Sequence, residues 1–161
     1  MRATRRKNGR GFSLIELVIV VVIIAIIGAI AIPRLICGSA GAADSSLIGN
    51  LRVLRSAVDL YASEHGGTFP AAGTVATQLT QYSDDTGATS ATKTGNYIYG
   101  PYLRTIPPLS VGAKKGQTGI AAATAATVGW IYDSTTGTIK PNTTDTSPVE
   151  ADAKGTLYSA Y

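Results

Sequence analysis

Two hydrophobic patterns of different character fill the first 65 positions. Residues 12–32 include one ionisable group, Glu16, and from 17 to 32 every residue is apolar or Gly. At about 1.5 Å per residue this run makes a helix of about 30 Å, the thickness of a bilayer's hydrocarbon core. Val and Ile are modest helix formers in water, but in hydrocarbon a lone segment must satisfy its own backbone, which a helix does. Pro33 follows the run, where its missing N–H and its ring predict a kink or an interruption. After a small-residue stretch at 38–43, Asp44 and Ser45 offer a restart, and Leu47, Leu51, Leu54, Val58 and Tyr61 recur at spacings of 4, 3, 4 and 3. That is one apolar face of a helix, with Arg52, Arg55, Asp59 and Glu64 off the stripe as a solvated face. Gly66 and Gly67 end it, Gly66 as a left-handed cap, and Phe69-Pro70 prevents resumption. A helix over 13–65 spans about 80 Å, more than one small domain can bury.

The pattern then breaks into short pieces. Val75, Leu79 and Tyr82 share a face, predicting a short helix over 74–82, followed by a polar loop at 83–94. Residues 96–103 are Tyr-rich and read as a strand or an ordered loop, and Ile106-Pro107-Pro108-Leu109 is extended. The clearest element is a hairpin: 128–132 is β-prone with Trp130 and Tyr132 on one face, 133–137 is turn chemistry ending in Gly, and 138–140 returns before Pro141. Residues 66–161 hold only 15 Val, Ile, Leu, Phe or Trp and 7 Tyr. A segment so poor in core formers needs the Leu47 to Tyr61 stripe to fold against. The expected class is therefore α+β, a lollipop with a long N-terminal helix and a small antiparallel sheet packed on the helix's outer half.

Charge changes the picture at one place. The chain carries 14 Lys and Arg against 10 Asp and Glu, a net +4, yet Arg2, Arg5, Arg6, Lys7 and Arg10 alone supply +5, leaving −1 on the rest. A basic stub on a near-neutral body is an orienting charge and not a phosphate-binding face, so no nucleic acid partner is expected. Only Arg34 follows the apolar run closely, which predicts a cytoplasmic N-terminus and an exported C-terminal body. A secretory signal peptide, with a small-residue site at 39–43, has a shorter apolar core than this one. An uncleaved signal anchor accounts for the length but not for Glu16, which is costly deep in lipid unless it snorkels.

At the junction of stub and run stands Arg10-Gly11-Phe12-Ser13-Leu14-Ile15-Glu16. This sequence resembles the leader of the type IV pilin and pseudopilin superfamily: a short basic stub, Gly before Phe, Glu at the fifth mature position, and a long apolar run. The resemblance implies that a prepilin peptidase cuts between Gly11 and Phe12 and methylates the Phe12 amine, and that Glu16 pairs with the amine of a neighbouring subunit to set register. It also implies that the helix loosens near Pro33 during assembly, where the residue-level alternative is a plain membrane exit. The order of elements beyond the helix resembles the G-type major pseudopilins of type II secretion. That implies 1–11 as leader, 12–33 as transmembrane and assembly helix, 34–65 as its amphipathic periplasmic half, and 66–161 as the body. It further implies an inner-membrane subunit that joins copies of itself and other pseudopilins in a periplasmic fibre, driven by an assembly platform with its ATPase. The C-terminal Cys pair of many pilins is missing. Rival readings are an extracellular pilus subunit for adhesion, motility or DNA uptake, and a binding ectodomain on a simple anchor.

Catalytic and metal chemistry find little footing. One Cys and one His leave too few ligands for a structural zinc site. Asp133, Asp145, Glu150 and Asp152 are the candidates for the calcium loop of many G-type relatives, but they lack the alternating ligand spacing of a recognisable loop. His65 reads as a helix-end residue, Cys37 as an apolar filler, Lys114-Lys115-Gly116 as no phosphate loop, and Asn142-Thr143-Thr144 as a chance sequon. Asp84-Asp85 are adjacent and point apart in helix or strand, which does not suit a carboxylate dyad. No cofactor is expected, and no enzymatic activity.

Overall fold

The structure, a computed structural model, describes residues 13–143, 150–152 and 154–161, and within the long helix it does not describe the side chains of 30–40. The chain divides into two compact units, Met1–Ser39 and Ala40–Tyr161. The first helix, α1, is Leu14–Glu64, and it is followed by α2 (Val75–Thr80), β1 (Tyr82–Ser83), β2 (Thr89–Ser90), β3 (Gly119–Ala121), β4 (Val128–Asp133), β5 (Thr138–Pro141) and a 3-10 turn, Tyr158–Ala160. The helix runs continuously through Pro33 and Asp44, so of the kink or interruption expected at Pro33 there is no interruption, and no restart at Asp44. Proline removes only one N–H from the ladder. The side chains of Pro33 and Cys37 lie outside those described.

In the first unit the described part of α1 is apolar on every face. Ser13 precedes it as the cap, and the Ser13 N–H donates to Glu16 Oε2 at 3.2 Å.

The second unit is built on the opposite principle. Leu47, Leu51, Leu54, Val58 and Tyr61 are all buried, at 2% exposure or less, and share one cluster with Val75, Leu79, Leu109, Val111, Trp130, Tyr132 and Ile139. A period of 3.5 positions keeps those five on one helix face, and the body supplies the surface they need. The helix stops where the sequence predicts: Gly66 has φ of 62°, and the Gly67 N–H reaches back to Ala62 O at 2.7 Å, a six-to-one closure of the last turn. A side chain at Gly66 would be strained in that left-handed conformation.

The sheet departs from the antiparallel expectation. β4 and β5 pair antiparallel with Trp130 opposite Pro141 and Tyr132 opposite Ile139, but β3 lies parallel to β4 with a bulge between Gly119 and Ile120. Parallel neighbours ordinarily need a long crossover. Here β3 is three residues long, so the six residues 122–127 are enough to carry the chain back beside its own start. The hairpin turn closes with Gly137 N–H on Asp133 O at 2.9 Å and Gly137 at φ 70°, with the Phe69 ring lying against it. A second hairpin, β1 with β2, takes Tyr82 from the end of the helix expected over 74–82, where α2 stops at Thr80, and otherwise forms in the segment expected to be loop, and 96–103 is loop with a single bridge from Tyr99 to Ser83.

Buried polar tips find carbonyls that extended proline segments leave unused. Trp130 Nε1 donates to Pro107 O at 2.8 Å and Tyr132 Oη to Pro70 O at 2.9 Å. Asn50 Nδ2 donates to Pro108 O at 3.0 Å, which ties α1 to the same stretch. Truncating the centre of this packing has a defined expectation. Leu54→Ala removes a fully buried side chain and lowers unfolding stability by about 2–5 kcal/mol, read from urea unfolding of the full chain in detergent at neutral pH.

Candidate assembly surface

An isolated apolar surface, and not a cleft, is the feature of this chain that asks for a partner. Leu14 is 81% exposed, and Ile15, Leu17 and every Val or Ile from 18 to 27 lie between 47% and 64%. Because the run is consecutive, exposure falls on all sides of the helix, whereas a helix that serves one core has a polar side. Among the described residues, no helix is long and apolar enough to cross a membrane. The described side chains of this run stop at Ala29, inside the apolar segment of the sequence.

Ser13, Leu14, Ile15 and Glu16 form half of a capping box, Glu16 reaching back from the third helical position to the cap N–H. Ser-x-x-Glu before an apolar run is the sequence signature of this role, one hidden here beside the charge of Glu16. The bond engages one carboxylate oxygen, and Oε1 accepts no hydrogen bond among the described residues. Gly11 and Phe12, the residues of the expected cleavage, lie outside the described residues, as does the basic stub. Pro33, by its side chain, does too.

Residues 6–32 match the prokaryotic N-terminal methylation motif. No curated protein and no solved structure matches the chain. The matched span takes in the end of the stub, Gly11, Phe12, Glu16 and the apolar run up to Ile32, and leaves the body outside it. The motif supports a pilin-like subunit that a prepilin peptidase processes and that assembles with pilin-type subunits. The α+β build of the body, a helix under small sheets, fits a pilin-like fold.

The remaining candidates have structural surroundings. Leu47, Leu51, Leu54, Val58 and Tyr61 lie in the core of the second unit, turned away from any neighbour. His65 is buried, stacked on Tyr61 with ring centroids 3.8 Å apart, its Nδ1 2.8 Å from Tyr61 O and its Nε2 2.8 Å from Asp84 O. Asn142 of the sequon is buried, with its amide donating to Val128 O at 2.6 Å, so it offers no exposed acceptor. Asp44, read as a restart, instead accepts a phenol hydrogen bond from Tyr158 at 2.6 Å, and Glu64, exposed as expected, also accepts one from Tyr102 at 2.6 Å. Arg55, also expected to be solvated, donates to Ile139 O at 3.3 Å and to Tyr161 O.

The acidic residues considered for calcium serve turns. Asp133 accepts Thr135 N–H at 2.8 Å and Thr136 Oγ1 at 3.0 Å. Asp152 accepts Lys154 N–H and Thr156 N–H, both at 2.8 Å, and Tyr161 Oη at 2.5 Å, while Glu150 accepts Ala113 N–H. Asp145 lies outside the described residues. Among the described residues, no group of three or more His, Cys, Asp or Glu side chains is placed to hold a metal ion.

These turns set an acid limit on the fold. Hydrogen bonds from the Thr86 hydroxyl hold the Asp84 carboxyl below its ordinary value, those from Thr135 N–H do so for Asp133, and those from the Tyr161 hydroxyl for Asp152. On the alkaline side, burial raises Tyr61, Tyr102, Tyr132 and Tyr158 above the ordinary phenol. A lowered carboxyl stabilises the fold above the unfolded value of about 3.9 and loses that contribution as pH falls through the lowered one. A raised phenol stabilises the fold below about 10 and loses its contribution above it. The melting temperature of the full chain in detergent is therefore expected to be level from about pH 5 to 9 and to fall on both sides. A steady rise from pH 4 to 10 would contradict this assignment.

Proposed function

We propose that this chain is a subunit of a periplasmic pseudopilus of type II protein secretion, cut between Gly11 and Phe12, methylated on the Phe12 amine, and polymerised through its N-terminal helix. The observation that carries the reading is the coincidence of the methylation motif over residues 6–32 with a helix exposed and apolar on all sides. Before assembly the apolar run 12–32 sits in the inner membrane, with the basic stub cytoplasmic and the body periplasmic. In the fibre the same surface lies among sibling helices. The work is mechanical and not catalytic: growth at an ATP-driven platform pushes cargo outward, and the chain itself needs no cofactor.

Lipid gives helices no hydrophobic reason to associate, since acyl chains are as apolar as Val and Ile. A specific polar contact therefore has to set the register. Cleavage creates an ammonium at Phe12 four residues before Glu16, and the Glu16 oxygen left unused by the cap can accept it from a neighbouring copy. An unpaired carboxylate in that setting is costly, whereas a paired one is tolerated.

The two roles of Glu16 are separable. Gln fills the capping position as well as Glu but carries no charge. Glu16→Gln is expected to be processed normally and to abolish fibres as fully as Glu16→Ala does. Fibres from Glu16→Gln at ordinary abundance would reduce Glu16 to a cap. Mass spectrometry of the native protein is expected to find a chain starting at N-methylated Phe12, and an intact Met1 start would favour a simple anchor. Deletion is expected to block secretion and leave surface pili in place. Lost pili with intact secretion would instead assign the chain to a pilus.

A further inference from the structure

The body, Ala40–Tyr161, exposes few large apolar side chains. Among the described residues they are Val53 and Leu60, each 50% exposed, Ile98 at 53%, and Leu157 at 37%. Three of the four lie in two shallow hollows. Val53 and Leu60, two helical turns apart and outside the core stripe, line a hollow of about 330 Å³ together with Tyr102, Leu103 and Arg52. Ile98 and Tyr99 line a second hollow, of about 370 Å³, with Asp85 beside them. Each hollow thus joins an exposed apolar side chain to one exposed charge, and the charges are opposite. Neither Arg52 nor Asp85 has a side-chain hydrogen bond or ion pair among the described residues.

We infer that the two hollows dock onto each other between copies of the chain: Ile98 of one copy enters between Val53 and Leu60 of the next, and Asp85 of the first pairs with Arg52 of the second. Charge complementarity selects the occupant. A contact of the Arg52 hollow with itself brings cations together, and the Asp85 hollow with itself brings carboxylates together, whereas the crossed pairing buries the apolar side chains and matches the charges. The crossed pairing is also heterologous, using different patches on the two partners. Such contacts do not close by two-fold symmetry, and they propagate into rings or open helical filaments. A small patch suffices, because copies already held by their N-terminal helices meet at high effective concentration.

The inference rests on the fibre reading for its setting, and its test is separable from that reading. In full-length chains carrying Cys37→Ala, Ile98→Cys is combined with Leu60→Cys or with Val53→Cys, and the assembled protein is oxidised mildly in the cell envelope. At least one combination is expected to give a ladder of dimers, trimers and higher species, because each copy offers both halves of the contact. Ile98→Cys, Leu60→Cys and Val53→Cys alone are expected to stay monomeric. Arg52→Asp is expected to lower the cross-linked fraction about tenfold by setting two carboxylates together, and adding Asp85→Arg is expected to restore it. Rescue by the double reversal excludes misfolding as the cause.

No ladder from either combination while fibres still form would overturn the docking and leave the proposed function standing. Dimers from any single cysteine variant would show a two-fold contact and overturn it as well, as would failure of the charge reversal to restore cross-linking. Loss of processing and of fibres in the otherwise unaltered chain would instead strike at the proposed function.

Discussion

Apolar surface that the chain leaves exposed is the constraint on which everything else turns. From Leu14 to Ile27 no side of the helix is polar enough to face water, and the large side chains there remain about half exposed or more. Removing each of them from water contributes on the order of 1 kcal/mol, so the segment drives the protein toward lipid or toward other copies of itself. The same helix solves a different problem after Ala40. There one stripe is apolar, the rest is polar, and a body of few core-forming residues closes over the stripe. A single element changes from a helix that needs an outside host to one that is its own domain's scaffold, and the change is written in the spacing of its apolar positions.

The body stays together with little apolar mass because its polar groups are matched at long range. Tyr158 bonds Asp44 across 114 positions of sequence, Arg55 reaches Tyr161 across 106, and Tyr102 bonds Glu64 across 38. Hydrogen bonds to ionised groups are stronger than neutral ones. They fasten loops 96–103 and 150–161 to the start and end of the helical stretch that carries the core, while the proline carbonyls at 70 and 107 take the buried Tyr132 and Trp130 donors and the carbonyl at 108 takes that of half-buried Asn50. Ordered loops thus substitute for regular structure over much of this unit.

Those long-range partners explain which parts of the fold were legible in sequence. The amphipathic stripe, its glycine stop and the Asp133 to Gly137 turn are local patterns, and local patterns survive without knowledge of the rest of the chain. β3 is Gly-Ile-Ala beside a run of Ala and Thr, with no alternation to mark a strand, and its parallel pairing depends on a bulge that sequence does not announce. The β1–β2 hairpin is held by Asp84, whose carboxylate takes Thr86 N–H at 3.0 Å and Ala88 N–H at 2.9 Å, in place of an apolar face. Arg55 looks like a solvent charge, and the bonds of Asp44 and Glu64 to tyrosines go unseen, because their partners are distant in sequence. At the assembly surface the motif from Gly11 to Glu16 was legible, and the capping bond within it was a readable signal overlooked beside the charge.

That capping bond bears on how one carboxylate serves a helix in two environments. In a lone subunit, Glu16 is held by the Ser13 N–H, at the helix start where the dipole favours a negative charge. Both terms are local and survive whether the surroundings are headgroups or protein. A neighbour's ammonium, under the fibre reading, adds to them without replacing them, because the cap uses one oxygen and leaves the other. The carboxylate then need not be stripped of its first partner to gain the second, so moving from membrane to fibre avoids a stage at which a bare charge sits in hydrocarbon. A residue whose only partner was the neighbour would meet that stage in every free subunit, and the cost of an unpaired charge there would fall on the pool from which the fibre grows.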